Sequence, residues 1–258
     1  MFKRKWLVFA VIIAALFAFT IFLQTRYMPA VLMYHSVNPK TDKIMYRLIV
    51  SPQTFEKQMV FLKNHNYKVI SLGAMAELLQ KRKKIPFKTV AITFDDGFKD
   101  NYTYAYPVLK KLGFPATISL IFDEIGRPEG DRLSWEEIKL MQESGLITFA
   151  SHTFGATPLV DISSEAELRK QIADSKKKFE EKLKIPIDAF TYVGGMFTPH
   201  IRELVIEAGY KYAVATGLGK KFSNYDVFAI KRVRISQDCD DLLRFRIKIS
   251  GYYNAFRK

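Results

Sequence analysis

A parallel α/β barrel is the fold class that this 258-residue sequence predicts, and three observations predict it. Short apolar runs alternate with segments of helical period, each crossover is long enough to hold a helix, and the polar residues cluster at the trailing ends of the runs. An open doubly wound sheet would satisfy the first two. The third favours a closed ring, because the carboxyl ends of barrel strands converge on one rim, where such folds carry their chemistry.

The elements follow in order. Lys3, Arg4 and Lys5 precede an uncharged run from Trp6 to Leu23, which at ~1.5 Å per residue crosses most of a hydrocarbon core. No small-x-small pattern closes that run, so an uncleaved signal anchor is expected rather than a removed signal peptide. The basic end then stays cytoplasmic on a single-pass chain of the cell membrane, and the remainder lies outside, secreted if the segment is cleaved. Residues 1–27 form this basic end, anchor and short link, and residues 28–258 form one barrel domain.

Strands are expected at Ala30 to Tyr34, Lys68 to Ser71, Thr89 to Phe94, Ala116 to Phe122, Ile147 to Ser151, Ala189 to Val193, Tyr212 to Thr216 and Val227 to Ile235. Helices fall between them. Ser51-Pro52 reads as N-cap and first helical residue, and Ser134 with Glu137 and Ser164 with Glu167 read as capping boxes. Ala105, Val108, Leu109 and Leu112 form one core-facing stripe, and Leu168, Ile172, Phe179 and Leu183 a longer one. Gly145 and Gly209 stand where helices should end.

Composition narrows the class. With 48% hydrophobic residues the chain can bury a sizeable core, which excludes disorder. Its only cysteine, Cys239, forms no internal disulfide, and no Cys/His cluster has zinc-finger spacing. The net charge of +14, still +11 without Lys3, Arg4 and Lys5, suits anionic lipid, acidic wall polymers or nucleic acid. Solvated lysines, such as Lys81 to Lys84 and Lys176 to Lys178, account for most of that charge. The basic aromatic tail from Leu242 to Lys258 reads as a terminal helix packed on the barrel, and nucleic acid is not an expected partner outside the membrane.

The chemistry-bearing residues stand at the strand ends: His35 after the first, Asp95 and Asp96 after the third, His152 after the fifth, Gly194 and Gly195 after the sixth. Adjacent carboxylates on an extended chain point to opposite sides, so one can face a metal and the other a water. The competing reading of Asp95-Asp96-Gly97 is turn chemistry, with a positive φ at Gly97 and an aspartate capping the next helix. A lone histidine at such a position is more often a satisfied rim residue than a ligand. Coincidence at one end of the strands shifts the balance toward function.

"VLMYHSV", "VAITFDDGFKDNY", "SHTF" and "KRVRI", in that order, resemble the polysaccharide deacetylase family, carbohydrate esterase family four. That resemblance implies a distorted (β/α)7 barrel that removes N-acetyl groups from a cell-wall or extracellular glycan built of N-acetylglucosamine. It implies Asp95 as general base and His35 as candidate general acid. Asp96 and His152 would hold a divalent metal, with zinc expected first and cobalt, nickel or iron as alternatives. Gly195, in the loop after the sixth strand, and Tyr192, near that strand's end, are expected at the oxyanion and substrate.

Two departures from the family pattern stand out. The second motif usually carries a further imidazole four residues after the first, and here that position is Ala156. The third motif reads Thr191-Tyr192-Val193-Gly194-Gly195, without its usual arginine and proline. His200 could serve as a substitute ligand, although its place just after Pro199 suggests an exposed side chain; His65 receives no role. The alternative function is therefore a catalytically impaired glycan-binding module.

Overall fold

The computed structural model describes residues 2–39, 47–83, 85–128, 130–216 and 225–253. Seven parallel strands form its ring: β1 (Ala30–Tyr34), β2 (Thr89–Phe94), β3 (Ala116–Leu120), β4 (Ile147–Ser151), β5 (Ala189–Thr191), β6 (Tyr212–Ala215) and β7 (Ile230–Arg234). Each strand pairs with the next in chain order, and β1 closes the ring by pairing with β7 on one side and β2 on the other. The expected strand at Lys68 to Ser71 shortens to Lys68–Val69, which pairs with Thr89 and Val90 but takes no place in the ring. A small separate sheet, Ser36–Val37 with Ile49–Val50, was not expected; both strands are too short for a periodic signal.

Helices α1 (Phe2–Arg26), α2 (Pro52–Asn64), α3 (Leu72–Gln80), α4 (Tyr106–Leu112), α5 (Trp135–Glu143), α6 (Glu165–Arg169), α7 (Ser175–Leu183), α8 (Pro199–Glu207) and α9 (Leu242–Lys248) follow the sequence pattern. Local chemistry sets their starts. Ser51 Oγ accepts from Thr54 N with Pro52 at the first position, and Ser134 with Glu137 makes a full capping box. At Ser164 only half the box forms, because a carboxylate oxygen of Glu167 accepts instead from Gln171. Two helices begin or continue through a π-helical turn, Asn101–Ala105 before α4 and Lys170–Asp174 between α6 and α7.

Alternation along each strand divides the apolar residues between two cores. Leu32, Val90, Ile92, Ile118, Phe149, Phe190 and Val233 face outward and pack under the helices. Val31, Ala91, Ala150, Ala189, Val214 and Ile230 face the bore, where they meet Leu72, Met75, Ala76 and Leu79 of α3. Helix α3 thus stoppers the amino-terminal end of the barrel. Small side chains in the bore let the strands close tightly over it, the packing expected of a filled barrel interior.

Among the described residues, no helix is long and apolar enough to cross a membrane, so the span expected at Trp6 to Leu23 is not shown by the structure. The described side chains of α1 from Val11 to Phe22 are exposed. Helix α9 packs only in part: Phe245 and Lys248 are buried, whereas Leu243 and Ile247 are exposed beside Arg244 and Arg246.

Candidate active site at the carboxyl rim

Moving up the bore from the stoppered end, small apolar residues give way to polar ones. Thr93 Oγ1 donates to the Leu32 carbonyl, Ser119 and Thr191 share a hydroxyl hydrogen bond of 2.7 Å, and Arg232 lies buried among them. A guanidinium inside a barrel needs an anion. Arg232 donates to Asp95 through both terminal nitrogens, at 2.6 and 2.7 Å, and to Thr93 Oγ1 at 3.3 Å.

Asp95 continues the inward alternation of Ala91 and Thr93, which places its carboxylate at the mouth of the bore, where it is buried. Burial alone would raise its pKa, but Arg232, with help from His152 and His35, holds the carboxyl well below the usual carboxylate range. Asp95 is therefore ionised at any physiological pH, and the fork of Arg232 fixes its orientation. An aspartate held this way trades basic strength for position.

Asp96 departs from the expected geometry. Its φ of +68° takes it out of the strand, so the separation of the two carboxylates comes from a turn and not from extended alternation. Gly97 also has positive φ, at +64°, and a Cβ there would lie 2.8 Å from the Leu120 side chain. Half of the turn reading thus holds. The capping half does not, because Asp96 Oδ1 lies 3.5 Å from His152 Nε2 and Asp95 is committed to Arg232.

His152 repeats the same device. It is buried at the end of β4 and is followed by Thr153 at φ +72°, an unusual conformation for a β-branched residue. The Thr153 hydroxyl lies within hydrogen-bond reach of the carbonyls of His152 and Gly155 and shares its one proton between them, which holds that turn. His152 Nδ1 donates to the Thr191 carbonyl at 2.8 Å, which fixes the tautomer and leaves the Nε2 lone pair facing Asp96. Asp96 and His152 thereby bring one carboxylate and one imidazole donor together, two of the three or four protein ligands that a divalent site usually needs. No group of three His, Cys, Asp or Glu side chains that could hold a metal occurs among the described residues, and Ala156 is exposed.

His35 completes the rim opposite. Its Nε2 lies 3.9 Å from Asp95 Oδ2, and burial is the main cause that lowers its pKa, opposed by the charges of Asp95 and Asp96. The segment that carries it is clamped from below: Asn101 Nδ2 donates to the His35 carbonyl at 2.8 Å, and Asp100 accepts from the Val37 N–H at 2.9 Å and from the Ser36 hydroxyl.

The remaining sequence candidates fall elsewhere. Gly195 N–H donates to the Tyr192 carbonyl at 2.8 Å and is not free for an oxyanion; the glycine is required because a Cβ would lie 1.9 Å from Thr216 Oγ1. Tyr192 is fully buried, its hydroxyl donates to the Phe228 carbonyl at 3.1 Å, and its ring stacks on Phe197, so its side chain belongs to the core and not to a substrate surface. His200 pairs at the surface with Glu165 at 2.7 Å and is no substitute ligand. His65 is exposed and stacks on Phe61. Arg232, Asp100, Asn101 and Thr191 stand inside the motifs quoted from the sequence but were given no role there. Arg232 is one of three basic residues in β7, and only its inward place in the strand alternation sets it apart from Lys231.

The comparisons with known proteins concern the family and the fold. The family profile described as polysaccharide deacetylase matches residues 82–213. A Bacillus subtilis strain 168 protein assigned to the polysaccharide deacetylases, YxkH, is 33% identical over 206 residues, 80% of this chain and 71% of that one. The poly-beta-1,6-N-acetyl-D-glucosamine N-deacetylase of Staphylococcus aureus is 30% identical over 199 residues, 73% of this chain and 68% of its own. Among solved structures, the Streptococcus pyogenes deacetylase PplD in complex with acetate superposes with a TM-score of 0.75 at 25% identity, covering 84% of this chain and 98% of its own. IcaB from Ammonifex degensii, at 24% identity and a TM-score of 0.74 over 88% of this chain and 97% of its own, shares the fold. With a closed seven-stranded ring, its carboxylates and imidazoles gathered on the carboxyl rim, and relatives at this level of identity, the chain belongs to the polysaccharide deacetylases, hydrolases of amide bonds.

Proposed function

We propose that the chain is a metal-dependent N-deacetylase of an N-acetylglucosamine polymer, acting outside the cytoplasmic membrane. One observation carries this reading: His152, its Nδ1 tied to the Thr191 carbonyl, turns its free nitrogen toward Asp96 beside an aspartate fixed by Arg232. The substrate class is drawn from the Staphylococcus aureus relative, whose name gives poly-beta-1,6-N-acetyl-D-glucosamine.

Asp96 and His152 would hold the cation, with zinc the first choice and cobalt, nickel or iron also compatible with the donor set. A divalent cation held by these two residues would supply polarisation of the amide carbonyl and a lowered pKa for a water. Asp95 takes the proton of the attacking water, its position set by the two bonds from Arg232. His35, 3.9 Å from Asp95 on the opposite side, supplies a proton to the departing amine. The proton it delivers is the one that Asp95 takes from the water, passed on across the 3.9 Å between them, and burial, which lowers the pKa of His35, favours its release.

The anchor is part of the proposal and rests on the uncharged run from Trp6 to Leu23 after three basic residues. Carbonate extraction of membranes carrying the full chain should leave it in the pellet, and recovery in the supernatant would rule the anchor out.

The decisive assay is acetate release by the full-length protein from N-acetylglucosamine oligomers, with metal content measured in parallel. Addition of zinc or cobalt should raise release, and His152→Ala should remove metal and activity together. A glycan-binding module is the second reading, favoured by Ala156 in place of an imidazole. Glycan retention indifferent to chelator, with no metal uptake and no acetate from any oligomer, would decide for it.

A further inference from the structure

We propose that the two π-helical turns are positioning devices for the two rim histidines: Asn101 sets the loop of His35, and Gln171 sets the loop of His152. The proposal rests on the deacetylase reading for its kinetic consequences but not for its geometry.

A π-helical turn inserts an extra residue and weakens a helix, so its persistence calls for a compensating contact. Both turns have one, of the same kind. The first, Asn101–Ala105, follows directly on Asp100 and begins with the buried Asn101, whose Nδ2 donates to the His35 carbonyl at 2.8 Å. Asp100 beside it accepts from Val37 N–H, Ser36 Oγ and Asn38 Nδ2. Four consecutive residues, 35 to 38, are thus held by two neighbouring side chains.

The second turn, Lys170–Asp174, presents the buried Gln171, whose Oε1 accepts from Gly155 N–H at 2.8 Å, three residues beyond His152. Its Nε2 donates to Glu167 at 2.7 Å, which fixes the amide's orientation. The Ile172 carbonyl in the same turn accepts from Tyr210 and Ser175 hydroxyls, at 3.0 and 2.9 Å. Ser175 in turn meets Ser151, the residue just before His152, at 2.9 Å. The turn therefore grips the histidine segment on both sides, at Ser151 and at Gly155.

The chemistry of the two grips differs, and that difference makes them testable. Asn101 must donate, so aspartate cannot replace it. Gln171 must accept from a backbone N–H, so a carboxylate can, provided the neighbouring Glu167 becomes the donor. The experiment uses the full-length chain labelled at its four histidines, with His65→Gln and His200→Gln assigning the two exposed rings. In chelator-treated protein, Asn101→Ala and Asn101→Asp should move the His35 ring signals and spare those of His152. Gln171→Ala should do the reverse, and the pair Gln171→Glu with Glu167→Gln should restore the native His152 signals.

In the acetate-release assay, Asn101→Ala and Gln171→Ala should each lower kcat by roughly 10 to 100-fold with KM nearly unchanged, the size typical of groups that orient catalytic ones. The exchanged pair should recover most of the loss. Ring signals that move equally for both histidines, or stay put, would overturn the proposal whether or not the wild type releases acetate. If the wild type releases none, the deacetylase reading fails and the ring signals alone decide. Should an alanine variant not fold, the exchanged pair decides: native His152 signals support the proposal, and displaced ones overturn it.

Discussion

The two ends of one barrel bore differ more than any two surfaces of the molecule. At the amino-terminal end, Val31, Ala91, Ala150, Ala189, Val214 and Ile230 close over helix α3 without a polar atom among their side chains. At the carboxyl end, the same inward register delivers Thr93, Asp95, Thr191, His152 and Arg232, all buried. Alternation is identical at both ends, so the strands only aim side chains; residue type decides whether a layer stabilises or reacts. The lower layer gains from burial. The upper one carries charge that only pairing makes tolerable.

The largest break in that contrast is Arg232→Met. It leaves the Asp95 carboxylate buried without its partner, and about 3–5 kcal/mol of stability should be lost, read by urea unfolding. Adding Asp95→Leu to it should recover much of that stability while acetate release stays absent. A double variant as unstable as the single one would mean the ion pair is structural first.

Met75→Ala, at the stoppered end, should cost about 2–5 kcal/mol, yet leave kcat and KM of the folded fraction unchanged. A change in KM would show that the two ends communicate.

Acid should act on the upper end alone. Asp95 has a depressed folded pKa, so its contribution is intact above its unfolded value near ~4 and fades as pH falls below that. The wild type should lose about 1.4 kcal/mol per pH unit more than Arg232→Met between roughly pH 4 and pH 2, measured by chemical unfolding across pH.

Ser119→Ala, midway up the bore, should cost about 0.5–1.5 kcal/mol by unpairing Thr191 Oγ1. It should also loosen His152 slightly through the Thr191 carbonyl, seen as a small rise in the metal concentration needed for half activity.

Much of this was legible in the sequence, and the reasons differ by element. Buried strands of five or six residues with clean ends, such as Thr89–Phe94 and Ile147–Ser151, show themselves through composition, and Ser51 and Ser134 mark their helices by hydrogen-bonding chemistry that is local. His35, Asp95, Asp96 and His152 were placed at strand ends by the same logic, and the structure gathers them on one rim. Arg232 was not assigned, because its partner lies 137 residues away and nothing local connects them. The left-handed turn at Thr153 runs against the preference of a β-branched residue, so no propensity rule could announce it, whereas at Asp96 the turn reading put the positive φ only at Gly97, one residue later. The π-helical turns leave the apolar stripe of Leu168, Ile172 and Phe179 intact, which is why that stripe reads as one ordinary helix. Gly195 misled for a related reason: its necessity is visible, but its cause is the approach of Thr216.

The stopper of α3 has a consequence for traffic. With Leu72, Met75 and Leu79 seated beneath small bore residues, the barrel is a cup and not a tube. Under the proposed function, sugar, acetate and water would enter and leave at the carboxyl rim, across which a polymer would lie.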